Sequence, residues 1–98
     1  MQSSDLIGEW EGDVIDTELG PSVARLFFYK NHRLRVEFDF IEDNAGSMVN
    51  EGLYEVREGF LVSNVLGDGN PLKVWLEHGQ LMLHHNIDPP LRFRRKSL

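Results

Sequence analysis

Arg33-Leu34-Arg35-Val36-Glu37-Phe38-Asp39-Phe40 decides the fold, because every even residue in it is apolar and every odd one is charged. Successive side chains on an extended strand point to opposite faces, so a period of two describes a strand with one face in a core and one in water. The same alternation continues on either side. Turn signals divide the chain into eight strand candidates, at 8–17, 22–30, 33–42, 47–57, 60–66, 72–77, 80–87 and 91–96. Only Ser3-Ser4-Asp5-Leu6-Ile7 suits a short capped helical turn.

The connections alternate in length. Asn31-His32, Glu58-Gly59 and His78-Gly79 are tight two-residue hairpin turns, whereas Glu18–Pro21, Asp43–Gly46, Gly67–Pro71 and Asp88–Pro90 are longer. Alternate connections of an up-and-down meander lie at the same end, so the long loops share one end and the short turns share the other with both termini. Closing such a meander removes its two free edges.

Charge supports closure. The first strand carries Glu9, Glu11 and Asp13 on one face and Trp10, Gly12 and Val14 on the other; the last carries Arg92, Arg94 and Lys96 against Leu91, Phe93 and Arg95. Paired antiparallel, three acids meet three bases outside, which sets register more than stability. The same pairing sets Arg95 on the inward face beside Trp10, as a cation–π contact. The expectation is therefore an all-β fold, an eight-stranded antiparallel up-and-down meander closed into a small barrel as a single domain over 1–98, with a short N-terminal helical turn.

Composition narrows the function classes. With 98 residues, 41% hydrophobic and 27% charged, the chain has the make-up of one globular domain rather than a disordered or fibrous one. No apolar run approaches the roughly 18 residues of a membrane span, and Met1-Gln2-Ser3-Ser4-Asp5 lacks the regions of a signal peptide, so a soluble chain is expected, its compartment open. Zero cysteines exclude disulfides and thiol chemistry. The 16 acids all fall before residue 91, against 6 of the 10 bases, so the body repels phosphate backbones and nucleic acid is not an expected partner.

Leu6-Ile7-Gly8-Glu9-Trp10, a capped turn entering Gly-x-Trp on the first strand, joined to a meander and to the inward Arg95 of the last strand, resembles the lipocalin and lipocalin-like (calycin) barrels. That resemblance implies a Trp10–Arg95 pair at the closed end and a ligand chamber at the other, although the chain is far shorter than a typical lipocalin and lacks the family's Thr-Asp-Tyr motif. Gly8-Glu9-Trp10-Glu11-Gly12-Asp13 also resembles the start of nitrobindin-like haem barrels, without their third glycine.

The residues that could face a guest are Phe28, Phe38, Phe40, Met48, Asn50, Tyr54 and His85. Asn50 and Tyr54 share a face of the fourth strand with Met48 and Gly52, so an amide and a phenol could orient a ligand or anchor buried water; Ser63 or Asn64 could join them. His84 and His85 point to opposite faces and cannot share a metal, and the flanking Leu81, Leu83 and Ile87 mark His85 as inward. His85 could then be a core residue, a haem ligand or, in an isomerase-, cyclase- or decarboxylase-like barrel, an acid or base. No serine-hydrolase elbow, phosphate loop, zinc helix or complete calcium loop is present, and no cofactor or metal is expected.

Asp16, Glu18, Glu42, Asp43, Asp68 and Asp88 lie in or beside the long loops without local bases, an acidic mouth that favours apolar or weakly cationic guests over carboxylates. The competing expectation is a filled barrel serving as an interaction module or homodimer through the exposed member of Trp75 and its neighbours Val74 and Leu76.

Overall fold

The computed structural model describes residues 2–17, 20–41, 46–84 and 89–96, with Thr17 and Asp68 described only in their backbone. A 3-10 turn over Ser3–Leu6 leads into β1 (Gly8–Thr17), followed by β2 (Gly20–Tyr29), β3 (Arg33–Phe40), β4 (Ser47–Arg57), β5 (Phe60–Ser63), β6 (Leu72–Glu77), β7 (Gln80–His84) and β8 (Leu91–Arg95). Each strand pairs antiparallel with the next, and β8 returns to β1, closing the barrel in meander order.

Period two becomes burial most plainly in β2, where Ser22, Ala24, Leu26 and Phe28 are buried and the residues between them are not. Opposite them on β3 stand Phe40, Phe38, Val36 and Leu34, so the apolar residues of the deciding stretch face the interior. Arg25, on the outer face between Glu11 and Asp39, forms ion pairs with both.

The β1–β8 seam has the expected register: Trp10 lies opposite Arg95 and Glu11 opposite Arg94. Outside, Lys96 Nζ lies 3.1 Å from Glu11 and 3.8 Å from Glu9, and Arg94 lies 3.5 Å from Asp13.

Four expectations need correction. The pairing of β1 with β2 slips between Glu11 and Val14, a β-bulge that inverts the alternation, so Val14 faces solvent at 57% exposure. Ile15 takes the inward place instead. The first short connection spans three residues, Lys30–His32, since Tyr29 pairs with Arg33; Asn31 and His32 both take positive φ. The expected 60–66 strand ends at Ser63, whose hydroxyl donates to Leu53 O (2.7 Å) and accepts from the Val65 amide (3.1 Å), turning the chain away from the ladder. Finally, β2 begins at Gly20 rather than 22. The expected extension of the seventh strand to 87 lies outside the described residues.

Candidate functional site

The two ends of the barrel are built differently. At the end of the short turns the 3-10 segment lies across the opening and inserts Leu6, which is fully buried. The Trp10 indole N–H donates to Leu6 O (2.9 Å), and the Arg95 guanidinium donates to Ile7 O and Asp5 O (both 2.8 Å). Its central carbon stands 4.2 Å from the Trp10 ring centroid, so one cation holds the plug through two carbonyls and stacks on the ring beneath it. Phe28 and Tyr54 pack edge to face at 4.9 Å and complete the filling. Burial pushes the Tyr54 hydroxyl above its ordinary pKa.

Toward the long loops Gly12 and Ala24 take inward places among larger apolar side chains, and a cavity of about 640 Å³ remains. β1 lines it with Gly12 and Ile15, β2 with Ala24 and Leu26, and β3 with Val36 and Phe38, while Leu72, Leu83 and Phe93 close the far side. Gly12 is required by this wall: the Phe93 ring lies 2.9 Å from where a Cβ would stand. Leu66, Gly67, Pro89 and Pro90 border the cavity from the long-loop end, and Asp13 and Arg92 bring charge to it. Ser22 is buried on the same face of β2, one inward position closer to that end than Ala24, and its hydroxyl has no hydrogen-bond partner among the described residues.

The residues singled out from the sequence are divided between these regions. Phe38 lies on the cavity wall. Phe40 continues its face one step toward the long loops, half-buried and off the wall. Phe28 and Tyr54 belong to the filled end, and Tyr54 OH reaches Ser3 O at 3.5 Å rather than the cavity. Met48 and Asn50 lie opposite Phe38 and Val36 in register but are exposed, because β5 pairs only with Tyr54–Arg57 and, among the described residues, no strand covers the earlier half of β4. His85 lies outside the described residues, as do Glu18, Glu42, Asp43 and Asp88; of Asp68 only the backbone is described. Asp16 is exposed.

Ser63 and Asn64 serve the backbone instead of a ligand. Asn64 Oδ1 accepts from the Leu53 amide (2.9 Å), and a Cβ on Gly52 would collide with that side amide and with Val65. Of the cavity wall only Phe38 was singled out from the sequence; Leu26, Val36, Leu72, Leu83 and Phe93 were missed, as were Ile15, hidden by the bulge, and the small pair Gly12 and Ala24. The signal of that pair was available: small residues at inward positions leave space. Among the described residues no group of three or more His, Asp or Glu is placed to hold a metal ion, and no helix is long and apolar enough to cross a membrane.

Comparison with protein-family models, curated proteins and solved structures gives no match.

Proposed function

We propose that the protein is a small-molecule binding barrel of the lipocalin-like kind, taking a compact apolar or weakly cationic guest through its long-loop end. The observation that carries this reading is the cavity of about 640 Å³ with a largely apolar wall, set against an opposite end sealed by Leu6 and Arg95. Ligand sites are typically preformed, mostly apolar concavities with few polar groups. Asp13 and Arg92 offset each other on the wall, so the preference for a positive or neutral guest rests on Asp16 and the acids that the sequence places in the long connections.

An unfilled interior supports binding over the filled-barrel interaction module. The acid–base reading gains no support from Tyr54, which lies in the filled end.

N-phenyl-1-naphthylamine, a neutral probe that brightens in apolar surroundings, tests the proposal. It should bind the native chain and be displaced more readily by decylamine than by decanoate. Ala24→Phe, which fills the chamber from its wall, should weaken probe binding about tenfold or more while the near-ultraviolet Trp10 signal persists. Probe binding unchanged by Ala24→Phe would overturn the reading, as would no binding at all.

A further inference from the structure

We propose that two copies of this chain pair through the exposed edge of β4, strand against strand. The backbone parity of β4 shows which groups are available. The Tyr54 amide donates to His32 O (2.8 Å) on the β3 side, whereas the Leu53 amide and carbonyl are taken from the other side by Asn64 and Ser63. Odd-numbered residues therefore direct their N–H and C=O groups away from β3. At Ser47, Val49 and Glu51 those groups meet no strand among the described residues, because β5 pairs only from Tyr54 onward.

Proteins ordinarily protect such an edge with lysine, proline or a bulge. Ser47-Met48-Val49-Asn50-Glu51 has neither residue, pairs with β3 without a register shift, and leaves Met48 51% and Val49 45% exposed. Among the described residues the one protective feature on this edge is the charge of Glu51 at its end.

The occupant follows from the stretch's match to itself. A two-fold axis at Val49 sets Val49 against the partner subunit's Val49, Ser47 against the partner subunit's Glu51, and Met48 against the partner subunit's Asn50. Apolar side chains meet at the centre, and the one charge faces a hydroxyl. Centring on Glu51 would oppose two carboxylates, which destabilises a cross-strand pair. Centring on Asn50 would ask Leu53 to bond the partner subunit's Ser47 with groups that Asn64 and Ser63 already occupy. Only the Val49 register uses every free group and displaces none.

Sedimentation equilibrium from micromolar to millimolar chain should show a monomer–dimer equilibrium. Val49→Lys, which opposes two ammonium groups, should weaken it about tenfold or more, whereas Val14→Lys, at an exposed apolar position on β1, should leave it unchanged. Val49→Pro should abolish dimerisation with the barrel intact, since that amide faces away from the β3 ladder. The chain has no cysteine, so register can be trapped directly. Opposed residues that do not share hydrogen bonds have Cα atoms about 4.5 Å apart, within disulfide reach. When Met48→Cys and Asn50→Cys chains are mixed and oxidised, intact masses should show the mixed disulfide in excess of either like-with-like product. A monomer throughout the concentration range, a dimer indifferent to Val49→Lys, or an excess of Asn50→Cys paired with itself would each overturn the proposal.

Discussion

The short-turn half and the long-loop half of this barrel are made of the same strands, yet one is solid and the other hollow. Inward positions in the first half carry Leu6, Trp10, Phe28 and Tyr54, while those in the second set the small Gly12 and Ala24 among Val36, Phe38 and Phe93. Eight strands enclose an interior that side chains can just fill, so residue size along each strand decides where space remains. The solid half also has a lid fixed by charged hydrogen bonds, which the hollow half lacks among the described residues.

The largest expected effect contrasts packing in the two halves. Trp10→Ala should destabilise the fold by about 3–5 kcal/mol, since a fully enclosed indole leaves a void and its partner Leu6 O is left without a donor. Ala24→Leu, which adds volume to a wall facing empty space, should change stability by less than about 1 kcal/mol. Urea unfolding of both variants checks the pair. Similar losses would mean that the open half is as tightly packed as the closed one.

The next effect separates the lid from the outer seam. Arg95→Met should cost about 1–3 kcal/mol, because the bonds to Ile7 O and Asp5 O and the stacking on Trp10 go together. Arg94→Met, one residue away but facing solvent toward Asp13 at 3.5 Å, should cost less than about 1 kcal/mol. Hydrogen exchange sharpens the contrast: Arg95→Met should speed exchange of the amides of the lid and of β1 near Trp10 before those of β3. Uniform acceleration would argue against a locally fastened lid.

These same residues show what the sequence makes legible. Trp10 and Arg95 could be paired in advance because opposite charge on β1 and β8 fixes their register, and the faces of β2 and β3 follow from unbroken alternation. Val14 and Ile15 could not, because two adjacent apolar residues between Asp13 and Asp16 leave open which one turns inward, and a bulge of one residue shifts every later side chain to the other face. Met48 and Asn50 illustrate a second limit. Periodicity assigned their face correctly, but whether that face is covered depends on how far β5 runs, and Ser63 and Asn64 stop β5 through side-chain bonds to Leu53. The hollow half was harder to foresee than the solid one because a cavity is a shortfall of volume summed over six strands, whereas a stacked Trp and Arg is a single contact.

The smallest effect concerns acid, and it tests whether the seam outside the barrel contributes separately from the plug within. Glu11 lies between Lys96 Nζ at 3.1 Å and Arg25 Nε at 3.0 Å, and hydrogen bonds to Lys96 and then to Arg25 hold its carboxyl below the ordinary value of 4.5. A carboxylate whose folded pKa is depressed adds stability that is present above its unfolded value and lost as pH falls through the lower folded value. The contribution should therefore be complete at neutral pH and fade from about pH 4.5 downward. Because 35% of the side chain remains exposed, solvent screening should hold it below about 1 kcal/mol. Urea midpoints of the native chain and Glu11→Gln, compared from pH 7 to pH 3, should differ at neutrality and converge in acid, whereas Arg95→Met should retain its deficit because its acceptors are carbonyls that do not titrate. A Glu11→Gln difference that stays constant into acid would assign that carboxylate a packing role, and an Arg95→Met deficit that vanished with it would show that the seam and the plug act as one electrostatic unit.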